Sequence, residues 1–377
     1  MRRKYIYKGM SVLFLLILLV PNAGLFREKR NTELITEMEN RSIAPFPKWD
    51  GDCRPFFRGF EKWYDDRLLG RKELIRFWAG LNGRLFHVLI SKEVALGKDG
   101  YLFMPFHLNH SLEDPDRKVA QLVKLNQACS EAGARLTVFF APNSEWILGE
   151  MLPEKYTPTA VEKLERETGE LFRENHIDYC FVGSDFLKMP LEQRKKLYLK
   201  GDYHWTYQGA YLATKALLRH LKLNDKIDYP MVYHKEKGMG DIYTRKIGWK
   251  PIWSDEDVPW NEAYTRDVKV RMRIAGEIIE KEDSAQKGEM ILTNPAARYQ
   301  ETVLVLGDSF FGSMRPYLMQ DFGKVVYVHN IDIRNPKKDI DIHYLLETYK
   351  PKIVIYEKMA SFFFGHNYDS VFGTWRL

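Results

Sequence analysis

The sequence predicts an α/β fold with a parallel sheet covered by helices on both faces, and three observations carry that prediction. Short apolar runs at Leu136–Ala141, Asp178–Val182, Thr302–Leu306, Val325–Val328 and Ile353–Tyr356 are of strand length and rich in Val, Ile, Leu and Phe. Helical spacing of apolar residues recurs between them, near Lys118–Ala132, Thr159–Asn175, Tyr207–Leu221 and Lys338–Tyr349. Strands that alternate with helices are the pattern of parallel pairing by crossover. Of the 377 residues, 45% are hydrophobic, enough for a sizeable core, and this excludes a disordered, coiled-coil or collagen-like chain.

The first element is an apolar stretch from Gly9 to Phe26 preceded by Arg2, Arg3, Lys4 and Lys8. A basic flank followed by a Leu-rich run of about 18 residues suits an uncleaved signal anchor, with its N-terminus in the cytoplasm, in preference to a cleaved signal peptide. Residues 27–54 are polar, contain Pro45 and Pro47, and read as a tether. Residues 55–377 then form the expected folded domain. Its first helices place Phe56, Phe57, Phe60, Trp63, Tyr64 and Leu68, then Leu74, Ile75, Trp78, Leu81 and Leu85, at helical spacing. Lys98-Asp99-Gly100 is a turn between Val94–Leu96 and Tyr101–Phe103 and predicts a β-hairpin. From Asn224 to Ala297 the α/β rhythm is lost among charged, aromatic and turn residues, including Gly238, Gly240 and Gly248. This stretch is expected to be an inserted lobe.

The net charge of +6 is spread along the chain, which argues against a dedicated nucleic-acid binder. Cys53, Cys129 and Cys180 are distant from one another and form no disulfide framework or zinc-ligand cluster.

Two short motifs carry chemistry. A buried strand runs into Gly307-Asp308-Ser309, with a helix expected near Phe311. A serine there sits at the carboxyl edge of the sheet, where ligands bind in open α/β folds, beside backbone N–H groups suited to an oxyanion. The same three residues also suit a plain helix cap. The second motif, Asp202-Tyr203-His204-Trp205-Thr206, opens a helix. Imidazole is the base that activates a serine near neutral pH, and a carboxylate fixes its tautomer. One loop can thus supply both partners. A metal site made by Asp202 and His204 with His220 or His234 lacks a third ligand at recognisable spacing.

Taken together, these motifs resemble the SGNH (GDSL-type) hydrolase superfamily. The Asp/His segment precedes the serine, a circularly permuted order. With the Asp-Tyr-His-Trp-Thr wording and the basic-apolar N-terminus, this is similar to the DHHW and AlgJ/AlgX-like group of polysaccharide O-acetyltransferases. Glu39-Asn40-Arg41, Asp65/Asp66-Arg67 with Arg71, Gly97 to Phe103 and Ala141-Pro142-Asn143 add to the resemblance. Tyr203 stands at the second residue of the group's Asp-His-His-Trp pattern, in place of a histidine. The loops after two further strands, expected to begin at Asn330 and Glu357, do not match the oxyanion Gly and Asn of ordinary SGNH hydrolases.

The resemblance implies O-acetylation of an exported or cell-wall polysaccharide by an extracytoplasmic, membrane-anchored enzyme. Ser309 would be the nucleophile, His204 the base and then acid, and Asp202 its orienting group. The oxyanion would rest on N–H groups at Ser309 and Phe310, aided by Asn143, with Trp205 and Glu357 as further substrate contacts. The acyl group would come from a multi-spanning membrane acyltransferase, with no metal or nucleotide cofactor. The same triad serves an esterase or deacetylase, and a non-catalytic glycan-binding scaffold would keep the fold without needing the three residues.

Overall fold

The computed structural model describes residues 2–26, 35, 42–86, 93–225, 232–236, 256–260, 269–274, 277–280, 289–329, 340–366, 371–372 and 375–376. Glu39-Asn40-Arg41, Gly238, Gly240, Gly248 and Asn330 lie outside the described residues. The chain divides into two compact units, residues 1–92 with 241–252 and residues 93–240 with 253–377.

The regular elements described in the first unit are helices. A helix over Arg2–Leu19 passes into a 3-10 segment, Val20–Phe26, and helices follow at Cys53–Asp65 and Arg71–Phe86. Among the described residues no helix is long and apolar enough to cross a membrane. The Asp52 side chain caps the second helix by accepting from the Arg54 N–H at 2.9 Å. Past the end of that helix, Asp66 accepts from the Ala44 N–H at 2.8 Å, and the Arg67 guanidinium donates to the Ala44 carbonyl at 3.0 Å. The stretch around Ala44, within the expected tether, is therefore bonded to the end of that helix.

The second unit holds the sheet. Its strands are β1 (Ala95–Leu96), β2 (Leu102–Phe103), β3 (Arg135–Ala141), β4 (Tyr179–Phe181), β5 (Val232–Glu236), β6 (Glu256–Trp260), β7 (Lys269–Ile274), β8 (Glu277–Glu280), β9 (Glu289–Thr293), β10 (Tyr299–Gly307), β11 (Phe322–His329), β12 (Ile340–Asp341), β13 (Ile353–Met359) and β14 (Trp375–Arg376). The main sheet has the order β4-β3-β13-β10-β11-β9-β7-β8. From β4 to β11 every pairing is parallel. Each of these strands was expected, and β3, β10 and β13 are buried over nearly unbroken runs, as strands covered on both faces must be. Helix Pro115–Glu131 packs on β3, Val161–Glu174 and Tyr207–His220 on β4, and Phe311–Asp321 on β11.

The sheet departs from expectation at its other edge. β9, β7 and β8 join antiparallel, so the sheet is mixed rather than purely parallel. All three come from the stretch expected to be a separate inserted lobe, so its second half is part of the main sheet. β9 shows why it escaped notice. Met290 and Leu292 are buried while Glu289, Ile291 and Thr293 are half-exposed, the alternation of a strand covered on one face, which a search for continuous apolar runs passes over. The expected hairpin is present: β1 and β2 pair antiparallel around a turn in which Asp99 takes φ of 54°.

Asp178 ties the β4 edge together. Its carboxylate accepts from Thr137 Oγ1 at 2.7 Å and from Arg135 Nη2 at 2.8 Å on β3, and lies 2.8 Å from His220 Nε2 at the end of the helix Tyr207–His220. Burial alone would raise its pKa. The bonds from His220, Thr137 and Arg135 outweigh burial and hold it below the ordinary carboxylate value. A lowered native pKa stabilises the fold fully above the unfolded carboxylate pKa of about 3.9, and that stabilisation is lost as pH falls through and below about 4. Urea denaturation should therefore show Asp178→Asn less stable than the parent at pH 7. The gap should narrow steadily from pH 4 to pH 2. A gap independent of pH would mean that the ionised carboxylate is not what stabilises this edge.

Candidate active site

The serine segment is built at the end of the central strand β10. Gly307 is the last strand residue, and a Cβ there would lie 2.8 Å from Glu357 Oε2 and 3.2 Å from the Tyr327 ring, so only glycine fits. Asp308 is buried and every part of it is engaged. Its N–H donates to Glu357 Oε2 at 2.8 Å. Its carboxylate accepts from the Phe310 N–H at 3.0 Å and the Met359 N–H at 2.8 Å, and its carbonyl accepts from the Tyr327 hydroxyl at 2.8 Å. Ser309 alone in this turn is exposed, between buried Asp308 and Phe310.

The histidine segment is a loop pinched at its base. Tyr198 and Trp205 form an antiparallel bridge, and the Thr206 N–H donates to the Leu197 carbonyl at 2.8 Å. Thr206 then caps the helix Tyr207–His220 by accepting from the Gly209 N–H. Within the loop, Asp202 Oδ1 accepts from the His204 backbone N–H at 3.1 Å and lies 2.7 Å from His204 Nδ1. His204 Nε2 lies 2.7 Å from Ser309 Oγ, across 105 residues of chain. Ser309, His204 and Asp202 are thus brought together in the order a serine–histidine–carboxylate relay needs. With Asp202 on Nδ1, the proton sits on that nitrogen and Nε2 is left to accept from the serine. The Tyr203 ring stacks on His204 with centroids 4.3 Å apart, and Phe310 flanks the imidazole at 4.8 Å.

Four other sequence-derived candidates are placed differently. The Phe310 N–H is spent on Asp308, so it is no oxyanion donor; the Ser309 N–H has no acceptor among the described residues. Asn143 is buried at the end of β3, with β13 between it and β10, and its amide donates to Glu145 Oε2 at 2.6 Å. It braces a buried carboxylate. Trp205 is 1% exposed and cannot stack on a sugar; its indole N–H donates to the Phe310 carbonyl at 3.1 Å. Glu357 was expected to open a loop, but β13 runs on to Met359, leaving Glu357 inside the strand and fully buried. The metal alternative also dissolves at His220, which bonds Asp178 and does not join His204.

Two features were not anticipated from sequence. One is the support beneath Asp308, whose only local signal was the polar pair Glu357-Lys358 ending an apolar strand. Burial, reinforced by the nearby Asp308 carboxylate, pushes the Glu357 pKa well above the carboxylate range, and burial lowers that of Lys358 to about 8. The other is a buried brace behind Tyr203. His107 Nδ1 lies 3.3 Å from Glu145 Oε2, the Met104 N–H donates to Glu145 Oε1 at 2.7 Å, and the His107 ring meets Tyr203 edge-on at 5.1 Å. Burial alone would raise the Glu145 pKa, but His107, Met104 and Asn143 together hold it down. A groove of about 1120 Å³ lies elsewhere, along β4 beside Asp178 and His220.

The architecture is a mostly parallel α/β sheet flanked by helices, consistent with an SGNH hydrolase-like domain. Residues 94–236, which include Asp202 and His204, match the family described as SGNH hydrolase-like domain, acetyltransferase AlgX. The structure is similar to that of Bacillus cereus PatB1 with a TM-score of 0.56 at 16% identity, covering 72% of this chain and 97% of that one. PatB1 with a sulfonyl adduct gives 0.53 at 16%, covering 72% and 96%. A DHHW family protein from Eubacterium siraeum gives 0.53 at 12%, covering 74% and 94%. At these identities the likeness is one of fold. No curated protein matches the chain.

Glu357 supplies a test of the support. Because burial pushes its carboxyl well above the ordinary carboxylate range, Glu357→Gln should preserve the acceptor for the Asp308 N–H and stay close to parent stability. Glu357→Ala leaves that buried N–H without a partner and should cost about 1–3 kcal/mol, measured by urea denaturation. Equal losses in the two variants would mean that Glu357 acts as a buried anion.

Proposed function

We propose that this protein transfers a short acyl group, most simply acetyl, to a hydroxyl of a polysaccharide outside the cytoplasm. The observation that carries the reading is the contact of His204 with both Asp202 and Ser309, each at 2.7 Å. The match of residues 94–236 to the AlgX acetyltransferase family supports acetyl transfer as the reaction class, and a polysaccharide acceptor is what the sequence resemblance to that group implies.

In this reading Ser309 Oγ attacks the acyl carbonyl carbon while His204 Nε2 takes the hydroxyl proton, giving a tetrahedral oxyanion. The Ser309 N–H is the donor left for that oxyanion. Collapse breaks the bond to the donor's leaving group, which departs with the proton from His204, and the acyl group stays on Ser309. An acceptor hydroxyl then attacks, passes its proton to His204, and leaves as the ester when Oγ recovers that proton. Asp202 stabilises the imidazolium in both halves. Tyr203 covers one face of the imidazole and limits its rotation. Exposed Ser309 also admits water, so hydrolysis is the competing fate and an esterase the second reading.

The basic residues Arg2, Arg3, Lys4 and Lys8 before an apolar run support a single-pass anchor with its N-terminus in the cytoplasm. An acyl donor outside the cytoplasm would need a multi-spanning membrane acyltransferase as supplier. An alkaline phosphatase fused to the C-terminus should be active if this orientation holds, and inactive if the folded unit stays in the cytoplasm.

Ser309→Ala should keep the fold, since it removes an exposed hydroxyl, and should abolish acyl transfer. His204→Ala should be about as damaging, and Asp202→Ala somewhat less, because the imidazole can still reach the working tautomer part of the time. The assay follows release from a chromogenic acetyl ester with and without an oligosaccharide acceptor. Acetylated sugar formed only with Ser309 intact supports transfer, and acetate release that the acceptor does not divert supports the esterase. Undiminished turnover in Ser309→Ala would rule out both.

A further inference from the structure

The helical unit carries a surface that the triad leaves unused. The helix Cys53–Asp65 buries none of its residues. Phe56, Phe57, Phe60, Trp63 and Tyr64 recur along one stripe of it at helical spacing, and Phe46 and Trp49 add to them from the preceding stretch. Phe46 meets Phe56, Phe60 and Trp63 edge-on, with centroids 6.3, 6.2 and 5.1 Å apart, and Trp49 meets Phe56 at 5.4 Å. These rings form one contiguous patch, yet Phe46 is 56% exposed, Trp49 63% and Phe57 64%. A connected apolar patch of this kind marks a binding surface, unlike single exposed hydrophobes.

The other face of the same helix says which surface it meets. Arg54, Arg58 and Lys62 are exposed and spaced four residues apart, which at 3.6 residues per turn sets their stripe roughly 160° around the helix from the centre of the rings, with exposed Glu61 and Asp65 among them. Aromatic rings on one face, a charged face with a small excess of cations opposite, and low overall hydrophobicity are the pattern of a helix lying in the plane of a bilayer interface. The Tyr64 hydroxyl also donates to Asn22 Oδ1 at 2.7 Å. That bond ties the helix to the end of the N-terminal apolar segment, whose Val12, Leu13, Phe14, Leu15 and Leu16 are exposed as well.

We propose that residues 46–64 dock on a phospholipid bilayer, the rings at the headgroup–acyl boundary and the charged face with Arg54, Arg58 and Lys62 on the water side. The inference extends the anchored location proposed above, rests on it for the identity of the membrane, and uses none of the triad chemistry.

Cys53 permits a direct test in the full chain. It is exposed and falls on the ring stripe, whereas Cys129 and Cys180 are buried, so a polarity-sensitive thiol probe marks it selectively. The reference is Cys53→Ser with Lys163→Cys, labelled at an exposed site on the helix Val161–Glu174. Both proteins are reconstituted with vesicles of phosphatidylcholine and phosphatidylglycerol carrying brominated acyl chains. The expected result is quenching several-fold stronger at residue 53 than at residue 163. It should be weakened by Phe56→Ser/Phe57→Ser/Phe60→Ser while ester turnover is kept. Co-flotation with vesicles but equal quenching at the two sites overturns the interfacial helix and leaves the anchor standing. Failure to co-float overturns both. A probe at residue 53 that is already shielded without lipid, and is released on dilution, would mean that a second copy covers the face and would also overturn it.

Discussion

The carboxylate of Asp308 is the group on which the arrangement depends. It is buried at the mouth of the sheet and accepts two backbone N–H groups, one from its own turn at Phe310 and one from Met359 at the end of β13. A buried carboxylate is costly unless its lone pairs are satisfied, and two fixed amide donors satisfy it in one geometry only. That geometry welds the end of β10 to the end of β13. Glu357 and Tyr327 secure the Asp308 amide and carbonyl from below and from the side. The path of the chain between Gly307 and Phe310 is thereby set at every peptide, and Ser309 is left as the one residue facing out. Its position follows from its neighbours' bonds and owes nothing to its own hydroxyl.

The histidine loop reaches the same place by a separate route. Its base is closed by the bridge between Tyr198 and Trp205, and the Tyr198 hydroxyl donates to the Pro142 carbonyl at 2.7 Å at the end of β3. The Trp205 indole then donates to the carbonyl of Phe310, the residue beside the serine. One buried hydrogen bond therefore couples two segments that are 105 residues apart in the chain. The Trp205 and Phe310 rings meet edge-on at 5.1 Å beside it, so the bond is kept away from water, where it is strongest. The 2.7 Å approach of His204 to Ser309 rests on this tie as well as on the strand ends.

The five parallel strands were legible because strands buried on both faces read as unbroken apolar runs. β7, β8 and β9 were not, because a strand at an antiparallel edge alternates, and among charged residues such alternation is weak. Ser309, His204 and Asp202 were legible because each belongs to a motif whose chemistry needs that residue type. The residues that hold them were misread for a common reason. Phe310, Asn143, Trp205 and Glu357 are polar or aromatic groups near the site in sequence, and sequence does not tell whether such a group points to substrate or into the wall. All four are buried. Glu357 also shows how one strand boundary, misplaced by three residues, turns a buried brace into an apparent loop residue. His107 carried no local sign at all, since its partner Glu145 is 38 residues away.

The two units solve the burial of polar and apolar groups in opposite ways. In the sheet unit, polar side chains such as Asp308, Glu357, Glu145 and Lys118 are drawn inside and hold backbone groups in place. Lys118 illustrates the cost: burial lowers its pKa to about 8, and it is retained by donating to the Phe363 carbonyl above that residue's ring. Such a wall is rigid because each polar group has its own geometry to keep, and rigidity is what an exposed nucleophile and its base require. In the helical unit the reverse holds, with aromatic rings outside and no buried face on the helix Cys53–Asp65. A surface so apolar is unfavourable in water by the same hydrophobic term that closes the sheet's core. The difference is that the core is sealed by the chain itself, whereas the aromatic face must be sealed by something else.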